Sequence, residues 1–265
     1  MNNISRSFET FSEFLDFVSK TPTNCPDYTS RNDGQFYGGE SFDGTLHLAK
    51  GGWAEGAERV QAIRATVDSV VQDTIRSHNA DIGWDVTGEF LDVGRLLSGE
   101  PECFGLRVQG GDSGDKPVVK IVVNLAASAA VGSEEIFQRG AAIVAAIDIL
   151  EGTGRRVEVW VAKGGKVRKG RGITLDIRCL VKPANQPIDI DRLAFACCHT
   201  GCLRRLFFSA QEQYGVSSTR TYPHAVYSPD AIVTEHAFRG TNFSKKELSE
   251  YIAAICQQAG VTVAA

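Results

Sequence analysis

Five cations, Lys163, Lys166, Arg168, Lys169 and Arg171, stand among four glycines in residues 162–173, AKGGKVRKGRGI, with no acid between them. Flexible glycine lets ammonium and guanidinium groups follow a polyanion, and release of counterions supplies the free energy of such contacts. The chemistry this spacing predicts is the tracking of a phosphate backbone. Trp160, immediately before the loop, provides a face on which an unpaired base would stack, as do Tyr222 and Tyr227. Arg178, Arg204 and Arg205 extend the candidate interface if their elements lie beside the loop. The competing explanation is a solvated hairpin tip whose charge prevents edge-to-edge pairing.

A second cluster, FACCHTGC, holds Cys197, Cys198, His199 and Cys202. Cys198 and Cys202 are four apart and share a helix face, as two zinc-binding thiolates would. A structural zinc site needs further ligands, and no second C-x-x-C or H-x-x-x-H pair exists, so these cysteines are expected to be small buried hydrophobes. Neither a G-x-S-x-G nucleophile motif nor a G-x-x-x-x-G-K-[ST] phosphate loop occurs, and the five histidines sit in unrelated contexts. Asp189 and Asp191 are accounted for as the start of a helix. The reading is of a non-enzymatic protein with no cofactor and no metal.

Composition is consistent with a local binding stripe and excludes a chain that coats nucleic acid with its whole surface. The net charge is −4, and residues 81–102 place six acids against the single cation Arg95, so the two signs are segregated along the chain. With 265 residues, 43% of them hydrophobic, a sizeable core can form. Seven cysteines without a regular spacing imply a reducing compartment, and no apolar run reaches the length of a membrane span. Together with an N-terminus lacking a leader pattern, this predicts a soluble cytoplasmic protein.

The elements that must carry these residues follow from periodicity. Phe8, Phe11, Phe14, Leu15 and Val18 recur at helical spacing and predict an opening amphipathic helix. A linker over 21–34 and two helices broken at Gly51 and Gly52 follow, with Trp53 as an aromatic plug. The acidic stretch reads as loop with short elements. VVKIVVNLA, SEEIFQRGAAIVAAIDILE and RRVEVWVA are strand, helix and strand, a βαβ unit with a parallel sheet. ITLDIRCLV pairs back as an antiparallel hairpin with the cations at its tip. Helices over 188–215, a strand region in AVYSPDAIVTEHAF and a closing helix capped by Ser244 and Glu247 complete the chain. The fold class is α/β, a mixed sheet with flanking helices. An N-terminal helical region, 1–102, packs on an α/β domain, 103–265.

Residues 118–162 resemble the opening of a von Willebrand A-type domain. That family's metal signature, Asp-x-Ser-x-Ser, corresponds here to Asn124, Ala126 and Ser128, which lack a carboxylate and one oxygen ligand, so the resemblance implies a degenerate, metal-free site. Residues 36–57, 139–160 and 191–208 look like a bacteriophage family with aromatic-x-Gly, Gly-Trp-x-x-Gly, a long helix before R-R-V-E-V, and paired arginines. The chain is also similar to an early podophage cofactor of viral RNA polymerase that binds single-stranded DNA. The resemblance implies single-stranded DNA and the viral RNA polymerase as partners in the host cytoplasm. The alternative is a scaffold protein that uses its acidic segment or sheet top to hold another phage protein.

Overall fold

A computed structural model describes residues 3–66, 82–88, 90–107, 118–167, 173–224, 226–234 and 244–261. Strand β1 (Asn3–Phe8) leads into α1 (Phe11–Ser19), and a 3-10 turn (Gln35–Tyr37) precedes α2 (Phe42–Gly51) and α3 (Ala54–Thr66). β2 (Ile82–Asp85), β3 (Phe90–Leu91), α4 (Val93–Leu97) and β4 (Phe104–Arg107) come next. They are followed by β5 (Val119–Asn124), α5 (Ser133–Gly152), β6 (Val157–Val167), β7 (Thr174–Lys182) and α6 (Ile190–Cys198). A π-helical stretch (Cys202–Phe207) continues into α7 (Phe208–Glu212). A 3-10 turn (Ser218–Arg220), β8 (Thr221–His224), β9 (Ile232–Val233) and α8 (Lys245–Gln258) close the chain.

The main sheet is mixed, in the order β1-β7-β6-β5-β9, with β8 also paired to β6. β5 and β6 are parallel across α5, and β6 and β7 are antiparallel, so the βαβ unit and the hairpin form as their periodicity predicts. Apart from Lys120 and the terminal Asn124, β5 has the β-branched character of a strand covered on both faces, and Ile121, Val122 and Val123 are all fully buried. Alternate residues divide the core. Ile121, Val123, Val159, Val161, Ile177 and Cys179 face the main cluster beneath the helices, while Val122, Trp160, Ala162 and Val226 form a small cluster on the reverse face.

Helix boundaries follow local chemistry. Thr10 caps α1 by accepting from the Glu13 amide at 3.1 Å, and Ser244 and Glu247 form the expected reciprocal cap of α8. α5 runs beneath the sheet and touches α6 so closely that a Cβ at Gly140 would lie 2.3 Å from the Cys197 carbonyl oxygen. Only hydrogen fits there.

The expectation for the N-terminus changes. Phe8 does not belong to the first helix: it ends β1, which pairs in parallel with β7, and its ring meets Phe14 edge-on at 5.3 Å. The N-terminal region therefore contributes a strand to the main sheet as well as helices, because a short polar segment takes the conformation its pairing edge offers. The acidic stretch carries short elements, as expected, and three of them, β2, β3 and β4, make a second sheet in the order β2-β4-β3. That sheet joins residues on both sides of the 102/103 boundary. The lone cation of the stretch, Arg95, is paired with Glu100 and lies 4.5 Å over the Trp84 ring.

Candidate functional site: a cationic cleft where the sheet forks

On one edge β6 is paired with β5 through Ala162, and from Gly164 onward with β8. β5 leaves the sheet after Asn124, where the Asn124 side-chain oxygen accepts from the Ala126 amide at 3.1 Å and turns the chain away. Lys163 is the residue of β6 between the two partners. A crevice where neighbouring strands part is a common place for ligands in α/β sheets. Here it is a cleft of about 340 Å³, bordered by the 126–129 turn, β8, the π-helical stretch and the 3-10 turn carrying Phe36 and Tyr37.

Lys163 follows Val157, Val159 and Val161 in phase, so its side chain points to the helical face and is only 8% exposed. Its Nζ donates to Gln211 Oε1 and lies 5.1 Å from the centre of the Phe208 ring. Burial pushes the ammonium pKa down to about 7, with the Glu212 carboxylate acting weakly the other way. Glu212 is itself fully buried, accepts from the Thr29 amide at 2.8 Å and the Ser30 amide at 3.3 Å, and has its pKa raised by burial. Gln211 is held from its other end by donating to Thr221 Oγ1 at 3.4 Å, and the Thr29 and Ser218 hydroxyls meet at 2.6 Å.

Arg204 also lines the cleft. Its guanidinium donates to the carbonyls of Phe36 (3.1 Å) and Val131 (2.7 Å) and lies 4.1 Å from the centre of the Phe36 ring. Burial lowers its pKa to about 10. Arg205 is completely buried one residue on, donates to the Ser30 carbonyl at 3.1 Å and sits 5.3 Å from the centre of the Tyr37 ring. Its Nε and Nη2 have no hydrogen-bond partner among the described residues. Two adjacent arginines turned inward from a π-helical turn are an unusual placement, and such turns concentrate at functional sites. The wall carrying Phe36 and Tyr37 is fixed by Gly38, whose φ of +100° ends the 3-10 turn and whose Cα side faces the Gly201 backbone. The FYGG motif and the HTGC motif are therefore one packed unit.

Among the described residues lining the cleft, the charged groups are Lys163 and Arg204, and no carboxylate is present. None of Lys163, Arg204, Arg205 or Glu212 forms an ion pair with a described residue. A second depression of about 430 Å³, beside α1 and the end of β7, carries both signs: Glu9 and Asp16 against Lys50 and Arg192.

Of the residues proposed from sequence for a phosphate track, Lys163 and Arg204 line the cleft. Lys163, Arg204 and Arg205 are buried, because β6 continues five residues past Ala162 and the paired arginines lie in a helix covered on every side. Trp160 lies on the opposite face of the sheet from Lys163, 7% exposed, with its Nε1 donating to Glu158 at 2.6 Å. Arg178 makes two hydrogen bonds to Asp176, at 2.8 and 2.6 Å, which raise its pKa. Lys166 is exposed. Arg168, Lys169 and Arg171 lie outside the described residues.

Cys197, Cys198 and Cys202 are buried in apolar surroundings, which pushes the Cys197 thiol up to about 12 and raises the other two as well. No group of three or more metal-ligating side chains occurs among the described residues. His199 Nδ1 accepts from the Gly201 amide at 3.0 Å, and burial lowers its pKa to about 4. Its ring stacks against Phe195 and meets Trp53 edge-on, so the expected aromatic plug is formed. No helix among the described residues is long and apolar enough to cross a membrane.

Thr29, Tyr37, Gln211, Ser218 and Thr221 were not singled out by sequence reasoning. The available signals were small: QE inside a helix with buried neighbours, and alternation that reaches Lys163 if the strand is extended by one residue. No curated protein and no solved structure matches the chain. One family profile, described as a domain of unknown function, DUF7192, matches residues 2–258, and the chain belongs to that family.

Proposed function

We propose that this protein binds a small anionic molecule in the cleft at the fork of β5, β6 and β8. The observation that carries the reading is the lining itself: two largely buried cations, Lys163 and Arg204, and no carboxylate among the described residues. Burying a cation without a counter-ion costs several kcal/mol in general, on the order of what removing one partner of a buried pair costs. An anion entering the cleft would recover part of that cost. The volume suits a ligand of metabolite size, the hydroxyls of Thr29, Ser218 and Thr221 offer hydrogen bonds, and the Tyr37 and Phe208 rings offer apolar faces.

The test is thermal unfolding and isothermal titration against inorganic phosphate, nucleoside monophosphates and simple carboxylates. Saturating anion should stabilise the wild-type chain, by about 2.7 kcal/mol at a hundredfold excess over Kd. The Lys163→Met and Arg204→Met variants should respond much less. Equal stabilisation of wild type and both variants would place anion binding elsewhere.

A second reading, single-stranded DNA binding, is favoured by one observation: exposed Lys166 and exposed Tyr222 are register partners on β6 and β8, and Tyr222 lines the cleft. Retention of labelled oligonucleotide that falls steeply with salt, and is lost on changing Lys166 with Arg168, Lys169 and Arg171, would support it. Absence of binding at low salt would remove it.

A further inference from the structure

Building on the anion-binding reading of the cleft, the geometry points to Lys163 as a nucleophile that forms an imine with a carbonyl group carried by the anionic ligand. The ligand class is a phosphorylated aldehyde or a 2-oxo acid.

The sheet contains a natural comparison. Lys182, on the neighbouring strand, is as deeply buried as Lys163, but it is ion-paired with Glu151 and donates to the Val157 carbonyl at 2.9 Å. Its charge is compensated and it lines neither cleft. Lys163 has instead a neutral amide acceptor and an aromatic ring, and it lines the cavity. A lysine desolvated without a carboxylate partner is populated as free amine near neutrality, the form that attacks carbonyl carbon. The depressed pKa of about 7 agrees with this. Arg204, with its higher pKa, stays cationic beside it and supplies the fixed charge that would hold the anionic end of the ligand. No cysteine or histidine lines the cleft among the described residues, so Lys163 has no rival nucleophile of those types there.

In the reaction, the Nζ lone pair forms a bond to the carbonyl carbon while the C=O π pair moves onto oxygen. Both amine protons leave with that oxygen as one water molecule, and the pair left on nitrogen closes the C=N bond. No oxidant or reductant takes part, and hydrolysis reverses the step.

The experiment uses the full chain with pyridoxal 5′-phosphate as an anionic aldehyde, borohydride reduction, and peptide mapping by mass spectrometry. Pyridoxine 5′-phosphate, which lacks the carbonyl, is tested in parallel by thermal unfolding. At pH 7 a surface lysine is about a thousandfold poorer in free amine than a group with a pKa near 7. Allowing for the lower nucleophilicity of the weaker base, Lys163 should still be labelled about tenfold faster than exposed Lys50, Lys166 or Lys246. Lys163→Met should lose that label alone.

Stabilisation by pyridoxine 5′-phosphate with label spread over exposed lysines and Lys163 unmodified would overturn the imine and leave the anion cleft standing. No stabilisation together with scattered label would overturn both. The site assignment comes from the wild-type peptide map, so it does not depend on how well the variant folds.

Discussion

Replacing Lys163 with Met should stabilise the protein at pH 7 and progressively lose that advantage as the pH rises. In the folded state burial lowers the ammonium pKa from 10.5 to about 7. Below pH 7 both folded and unfolded chains hold the proton, and the folded chain bears the full cost of the buried charge. Between about pH 7 and 10.5 the unfolded chain holds a proton that the folded chain has released, so wild-type stability rises with pH through this window. Above it both states are neutral and the difference is flat. Integrating the linkage between these two pKa values gives a wild-type gain of about 2 kcal/mol relative to the variant from pH 7 to pH 9, and only a few tenths from pH 6 to pH 7. The buried cysteines have raised pKa values and act in the opposite direction, but they are common to both proteins and cancel. Urea unfolding of both proteins at four pH values measures the difference. A gap between wild type and variant that stays constant from pH 6 to pH 9 would show that Lys163 titrates as a normal lysine, and would remove the basis for a free amine in the cleft.

Anion binding at the cleft should be proton-linked: phosphate favours the ammonium form, so affinity should weaken by up to about tenfold per pH unit above 7, seen as proton uptake by calorimetry in buffers of different ionisation heat. Gly140→Ala should cost about 2 kcal/mol or more, read as a lower urea midpoint, because the new methyl would meet the Cys197 carbonyl and Cys198 sulfur at 2.3 and 2.7 Å. Gly38→Ala should cost about 1–3 kcal/mol and weaken anion binding with it, since φ is +100° and a Cβ would lie 3.0 Å from the Gly201 nitrogen. Glu151→Gln should destabilise by about 3 kcal/mol by leaving Lys182 buried without its carboxylate, whereas Lys182→Met should be much milder in the same unfolding assay.

Periodicity alone determined a great deal of this molecule. The β-branched run at 119–124, the twenty-residue helix after it and the alternation in β6 and β7 were each sufficient to specify their elements, and parallel pairing of β5 with β6 follows from the length of the crossover. The break at Gly51 and Gly52 and the cap at Ser244 and Glu247 were equally plain, because each is a short-range contact between named residue types. What the sequence could not convey was which cations are buried. A run of five lysines and arginines among glycines looks like one exposed patch in one dimension, yet Lys163 belongs to the strand and turns inward. Nor does any local signal indicate that β5 gives way to β8 along the edge of β6. Only β8 arriving from sixty residues away leaves Lys163 at a fork, with Gln211, Glu212 and Thr29 drawn in from a helix and a loop distant in the chain. Side-chain pKa values depend on what displaces water around a group, and that is decided by packing between distant segments rather than by the residues beside it in sequence.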